Sequence, residues 1–100
     1  MNIIKKEVLK LLYHNPDGLR IRDLMIKMPT IREIDNDLRV NSRGYATLVH
    51  HLSIMRRWGL IKKIRYDKRD KNFTKDGEVF WIITNNTRKN KYDYLMRRGN

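Results

Sequence analysis

Apolar residues recur in the first third of the chain with the spacing of amphipathic helices. One stripe follows the i, i+4, i+7, i+8 pattern of a helix face: Ile4, Val8, Leu11 and Leu12. Asn2 stands where a helix N-cap is needed, and the turn-forming run at residues 15–18 (NPDG) ends this first helix. After a short extended segment comes a second stripe: Ile21, Leu24, Met25 and Met28. Pro29 ends the second helix, because the residue before a proline is disfavoured in the α region.

A short helix and then a long one are predicted downstream. Thr30 and Glu33 have the spacing of a capping box, and the apolar residues that would share a face behind them are Ile31, Ile34 and Leu38. The long helix spans residues 43–58, with Asn41 or Ser42 as its cap. Its apolar stripe is Tyr45, Leu48, Leu52 and Met55. Gly59 occupies the position where a helix commonly ends in a left-handed residue.

Two β-like runs follow the long helix. Residues 60–66 (LIKKIRY) predict a half-buried strand, and residues 79–84 (VFWIIT) predict a more fully apolar one. The polar segment between them includes the turn dipeptide Asp76-Gly77, so we expect a hairpin with a long tip. We place one domain at residues 1–86 and a basic tail or short helix at 87–100, where Tyr92, Leu95 and Met96 have helical spacing over about one turn.

Two segments carry a family resemblance. Residues 47–64 (TLVHHLSIMRRWGLIKKI) resemble the second half of the recognition helix and the start of the wing in winged helix-turn-helix transcription regulators. Residues 15–28 are similar to the turn, short strand and first motif helix of that family, and the resemblance covers about residues 3–84. It implies an α+β, mainly helical fold with three or four helices and a two- or three-stranded β-wing.

The sequence departs from this family at one place. A helix-turn-helix turn usually has about 3–4 residues, whereas residues 29–41 form a much longer connection. Either an insertion separates the two motif helices, or residues 31–38 are themselves the first helix of the motif.

The charge of the chain is strongly positive. Twenty-three Lys and Arg residues oppose 11 Asp and Glu residues, which gives a formal net charge of +12. Such a domain attracts polyanions, and basic residues grouped in one part of the chain are typical of nucleic-acid binders. From Arg43 through Lys75 there are ten basic residues against Asp67 and Asp70, a local +8. A thermophile-like charged surface would carry both signs in near balance.

The long helix supplies the candidate reading residues. The major groove of B-DNA admits one α-helix, whose outward side chains meet base edges. With Leu48 facing the core, steps of 100° per residue turn six side chains outward: Arg43, Ala46, Thr47, His50, Ser53 and Arg57. Arg43 can bind guanine bidentately, Thr47 and His50 can form single hydrogen bonds, and Ala46 can contact a thymine methyl. The resemblance implies that the N-terminal half of this helix reads the sequence.

The predicted wing supplies a second set of contacts. Four basic residues lie within eight positions: Lys68, Arg69, Lys71 and Lys75. An extended basic loop can follow phosphates or enter a minor groove. The basic residues of the tail are either a further phosphate arm or part of a disordered segment: Arg88, Lys89, Lys91, Arg97 and Arg98.

The sequence contains no pattern that is typical of a catalytic or metal-binding site. The absence of cysteine excludes disulfides and thiolate metal sites. His50 and His51 are adjacent, whereas a chelating pair on a helix needs i, i+4 spacing. Glu33, Asp35 and Asp37 fit a solvated loop better than the converging carboxylates of a nuclease. We therefore expect no enzyme activity, no catalytic residue, no metal ligand and no cofactor.

The two tryptophans have two interpretations. Trp58 and Trp81 could stack on unpaired bases, but one adjoins a helix end and the other lies inside an apolar strand. We assign both mainly to packing.

The expected partner is double-stranded DNA, bound by a homodimer because a domain of this size gains from a second subunit. The first residues carry no secretion signal and no apolar run is long enough for a membrane span, so we expect a cytoplasmic protein without membrane contact. The sequence identifies no small-molecule effector pocket. The alternatives are RNA binding, a non-specific architectural role, and a winged domain used for protein contacts.

Overall fold

The computed structural model describes residues 2–65 and 79–90, and it shows an α+β fold in which helices predominate. The elements, in chain order, are α1 (Ile3–His14), α2 (Ile21–Lys27), α3 (Pro29–Ile34), α4 (Arg43–Arg57), β1 (Ile61–Arg65), β2 (Val79–Ile83) and α5 (Asn85–Lys89). The predicted α+β, mainly helical class is therefore confirmed. The described residues contain five helices, however, whereas three or four were expected.

The N-terminal helix begins and ends where the sequence predicts. The Asn2 side chain accepts a hydrogen bond from the Lys5 amide at 2.9 Å, which satisfies one of the free donors of the first turn. After α1, Gly18 adopts a φ of +100° in the turn that leads to Leu19. A Cβ at this glycine would lie 2.8 Å from Cγ2 of Ile82, so the turn requires glycine both for its dihedral angle and for its close approach to β2.

Met28 alone separates α2 from α3. It is the C-cap of the first and the N-cap of the second, and it is fully buried. The predicted capping box of Thr30 and Glu33 is wrong, because α3 begins at Pro29, two residues before the start that a cap at Thr30 implies. The fixed φ of proline suits a first helical position. The helix ends at Ile34, so Leu38 packs on the core from the following loop.

The ends of α4 are also as predicted. Ser42, rather than Asn41, is the N-cap, and its hydroxyl accepts a hydrogen bond from the Tyr45 amide at 3.1 Å. At the other end Gly59 has a φ of +77°. The Gly59 amide donates to the Arg56 carbonyl and the Leu60 amide donates to the Met55 carbonyl, which is a Schellman motif. This turn directs the chain into β1.

The two strands pair as an antiparallel hairpin. The register joins Ile61 to Ile83 at one end and Arg65 to Val79 at the other. Leu19 adds an isolated bridge to Trp81, with backbone N–O distances of 3.0 and 2.8 Å in the two directions. The predicted tip of the hairpin lies outside the described residues.

One apolar core gathers α1, α2, α3, α4 and the hairpin. Its fully buried side chains include Val8 and Leu12 of α1, Leu24 of α2, and Leu48 and Leu52 of α4. None of the described helices is both long and apolar enough to cross a lipid bilayer.

The last described helix, α5, packs on the end of α1. It begins at Asn85, before the boundary predicted at residue 86, and Thr84 caps it. Thr87 is buried, and the Arg88 guanidinium donates to the Tyr13 carbonyl at 3.1 Å while lying 4.8 Å from the Tyr13 ring centroid. Residues 91–100 lie outside the described part of the chain.

Candidate nucleic-acid interface

The side of α4 that faces away from the core carries the predicted reading residues. Five of them are exposed: Arg43, Ala46, His50, Ser53 and Arg57. Thr47 is half-buried. The opposite side of the helix supplies four buried residues: Gly44, Leu48, Leu52 and Met55. The predicted orientation of the helix is thus confirmed, and the six candidate residues lie on or beside one solvent-facing surface.

Acidic side chains help to position the start of α4. The Asp35 carboxylate accepts a hydrogen bond from the Arg43 amide at 3.1 Å, next to the cap that Ser42 provides. Asp37 forms an ion pair with Arg39 at 2.7 Å, and this guanidinium lowers the pKa of the Asp37 carboxyl. Among residues 2–65 and 79–90, no group of three or more His, Asp or Glu side chains could hold a metal ion. Of the three acidic residues Glu33, Asp35 and Asp37, Asp35 thus caps the start of α4 and Asp37 pairs with Arg39.

Thr47 has less hydrogen-bonding capacity than its position in the sequence suggests. Its hydroxyl donates to the Arg43 carbonyl at 2.9 Å, one helical turn earlier. A hydroxyl has one hydrogen to donate and two lone pairs to accept. In this conformation Thr47 faces solvent as an acceptor only, so Arg43 and His50 are the stronger candidates for base contacts.

A basic cavity borders the reading surface on the side of the hairpin. It has a volume of about 600 Å³ and lies between α4 and the sheet. Its described lining includes three cations, Arg56, Arg57 and Lys63, and no acidic residue. The side chains of Arg43, Arg56 and Arg57 form no ion pair within the described residues. No carboxylate in this part of the chain neutralises their charge.

Sequence reasoning missed two of these cations. Arg56 lies 100° from Arg57, toward the side of α4 that meets the hairpin, so the outward set that helical geometry predicts does not include it. The neighbours of Lys63 depend on the strand register, which pairs it with Trp81 and which the sequence does not specify. Its ammonium lies 5.6 Å from the Trp81 ring centroid. The alternation of side chains along a strand could have placed Lys63, because it puts Lys63 on the same face of β1 as the apolar Ile61.

The two tryptophans have different environments. Trp81 is buried, as predicted, but the packing assignment for Trp58 is wrong, because 60% of this residue is exposed. Trp58 is the C-cap of α4, so the chain turns away before its ring can reach the core. Its contact is instead with the Lys5 ammonium, 5.6 Å from the ring centroid.

The same lysine joins α1 to His51 of α4. Nζ of Lys5 lies 2.7 Å from Nδ1 of His51, and Lys5 is buried. An ammonium can only donate, so Nδ1 is the acceptor and carries no proton. Burial, followed by the charges of Lys5 and His50, lowers the pKa of His51. His51 thus borders the core, as the sequence indicates.

Several predicted contacts fall outside the described residues. These are the wing residues Lys68, Arg69, Lys71 and Lys75 and the tail residues Lys91, Arg97 and Arg98. Of the remaining tail cations, Arg88 contacts α1 while Lys89 is exposed.

The order of the elements is compatible with a winged helix. A bridged extended residue follows α1, α4 packs on both α2 and α3, and the antiparallel hairpin follows α4 directly. Comparisons of the chain with family models, curated proteins and solved structures found no match. The likeness to winged helix-turn-helix regulators therefore depends on the residues and the element order given above.

Proposed function

We propose that this protein is a sequence-specific double-stranded DNA-binding protein of the winged helix-turn-helix type, a transcriptional regulator rather than an enzyme. The observation that carries the proposal is the surface of α4. This surface exposes Arg43, His50 and Arg57, and neither arginine has an ion-pair partner among the described residues. The surface also adjoins the basic cavity.

In this proposal α4 enters the major groove with its N-terminal half against the bases. Arg43 binds a guanine, His50 donates to or accepts from a base edge, and Ala46 meets a thymine methyl. At 1.5 Å per residue, Arg57 stands about 21 Å further along the helix than Arg43. Such a separation suits contact with a phosphate of the flanking backbone, so Arg57 and Arg56 position the helix while Arg43 specifies the sequence.

The hairpin provides the second contact. Lys63 lies at the base of the wing beside α4, and the cations of residues 67–77 extend the same positive charge along the chain. The wing residues Lys68, Arg69, Lys71 and Lys75 would bind phosphates or a minor groove. A homodimer would place two copies of α4 on half-sites about one helical turn apart.

Selection of bound duplexes from a random pool at fixed salt tests this function. We expect a sharp base preference within a half-site, since direct readout discriminates by about 1–3 kcal/mol per good contact. Uniform recovery of all duplexes would replace sequence-specific regulation with an architectural role. Preference for single strands or RNA over duplex DNA would overturn the proposal.

A further inference from the structure

A large groove adjoins the proposed DNA-binding surface. A cavity of about 780 Å³ lies between α2, the loop at residues 36–40, the start of α4 and β2. Its apolar lining includes Ile21, Met25, Leu38, Val40, Tyr45 and Trp81. The basic cavity beside α4 shares Ile21, Tyr45, Val79 and Trp81 with it, so the two adjoin along the same aromatic floor. Each volume falls within the range of about 300–1,000 Å³ that is typical of small-molecule sites.

Charge is distributed unevenly along this combined groove. At the end beside α2, Asp37 and Arg39 line the cavity as an ion pair at 2.7 Å, and Arg22 is the one further charged residue among the described lining. The other end is lined by three cations, Arg56, Arg57 and Lys63, and by no carboxylate of residues 2–65 and 79–90. The groove therefore suits a molecule with an apolar body and one anionic group at the end nearest α4's C-terminus.

The floor holds a further polar group without a partner. Nε1 of Trp81 is buried and has no hydrogen-bond acceptor among the described residues, although indole N–H groups normally find one when buried. The ring of the same residue lines both cavities, and Lys63 lies over it at 5.6 Å. Among the described residues the floor of the groove thus contains an unpaired donor next to the cations of its basic end.

We propose that this groove binds a small amphipathic organic anion, an aromatic or aliphatic carboxylate or sulfonate. Its apolar body lies against Tyr45 and Trp81, and its acidic group contacts Arg56 and Lys63. Ser53 and Arg57 line the same cavity and belong to the candidate DNA surface, so the anion and a duplex compete. The ligand site stands on the groove alone, whereas the competition rests on the proposed function.

Fluorescence titration of the full chain with anilinonaphthalenesulfonate tests the site. Phenylnaphthylamine, the same ring system without the sulfonate, is the matched neutral probe. We expect saturable binding of one sulfonate per chain, about tenfold tighter than the neutral probe, which corresponds to ~1.4 kcal/mol. Equal affinity for the two probes would show that the basic end contributes nothing, and would overturn the proposal.

Matched variants locate the bound probe. Arg56→Gln and Lys63→Gln should each weaken the sulfonate about fivefold while leaving the neutral probe unchanged, because they remove one charged contact. Lys10→Gln, at an exposed position of α1 outside the groove, should change neither. Val49→Phe, which fills the basic cavity, should weaken both probes. If Lys63→Gln and Lys10→Gln behave alike, the sulfonate binds elsewhere and the inference is wrong.

A competition measurement separates this inference from the proposed function. A duplex recovered by the selection should displace the sulfonate from the wild-type chain. If the chain binds the sulfonate in the groove but selects no duplex, the DNA function fails and the ligand site stands. If duplex and sulfonate bind together without competing, the regulatory part of the proposal is overturned.

Discussion

On one side of α4 the side chains of Leu48, Leu52 and Met55 are fully buried, whereas on the other side Arg43, His50 and Arg57 face solvent. The buried side belongs to the core in which α4 packs on α1, α2, α3 and β1, so each change there leaves a void or a clash. The outward side has no packing constraint and carries cations without ion-pair partners in the described structure. The residues that stabilise the fold and those proposed to bind DNA thus lie on opposite sides of α4.

The two remaining flanks of α4 also differ from each other. Toward the hairpin, Arg56 and Lys63 open onto a groove with an apolar floor. Toward α1, His51 accepts from Lys5, and the lysine covers Trp58. On one flank the cations have no ion-pair partner in the described part of the chain, while on the other a cation joins two helices. Variants on the separate sides should therefore change separate properties.

Leu52→Ala should have the largest effect on the buried side. Removing a fully buried leucine from the middle of α4 loses its transfer free energy and leaves a cavity, which costs about 2–5 kcal/mol of unfolding free energy. Ser53→Ala, one residue away and exposed, is the matched control and should change stability by less than about 0.5 kcal/mol. Denaturant titration measures both. Equal stabilities for the two variants would contradict the register of α4.

Neutralising the wing should separate the contacts that bind phosphates from those that read bases. Replacing Lys68, Arg69, Lys71 and Lys75 with Gln should flatten the dependence of log K on log salt by ~2–4 units per protomer, since each phosphate contact contributes about 0.9. The preferred base sequence should stay the same. Duplex binding at several salt concentrations is the measurement. An unchanged slope would remove the wing from the interface, and a changed base preference would give it a reading role.

Arg43→Ala tests the outward side. We expect a loss of about 1–3 kcal/mol on the selected duplex and relaxed preference at one base position. Stability should not fall, because Arg43 is exposed and a cation in the first turn of a helix opposes the helix dipole. Lys10→Ala is the control for lost charge. Weaker binding to all duplexes alike would make Arg43 a phosphate contact.

The smallest effect is expected at His51. Its folded-state pKa is lowered by burial and by the nearby charges of Lys5 and His50, so the unfolded chain binds this proton more readily. Stability is then fully present above the ordinary value of about 6.5 and declines as pH falls through it toward the folded-state pKa. His51→Gln should reduce this decline. Melting temperatures of the wild-type chain and the variant between about pH 5 and 8 provide the test. Parallel curves for the two would contradict a contribution of His51 to the pH dependence of stability.

Local chemistry explains why most elements were predictable. Asn2, Ser42 and Gly59 act within one turn of their own helix ends, and the apolar stripes of α1, α2 and α4 follow a fixed period. The start of α3 differs from the prediction because Pro29, whose fixed φ suits the first helical position, lets the helix begin before Thr30. The helical spacing predicted in the tail lies at Tyr92, Leu95 and Met96, so it does not predict α5, whose anchor, Arg88 on Tyr13, joins residues 75 positions apart.

The candidate site divides in the same way. The outward residues of α4 follow from helical geometry once Leu48 is placed in the core, and that is a property of the sequence. The sequence alone also determined the positive charge, the absence of cysteine and the hairpin. Only the tertiary structure decided that Trp58 is exposed, that Lys5 meets His51 and that Arg56 and Lys63 share a groove with Trp81. These contacts join residues far apart in the chain, and they depend on how α1, α4 and the strands pack together, which no local pattern encodes.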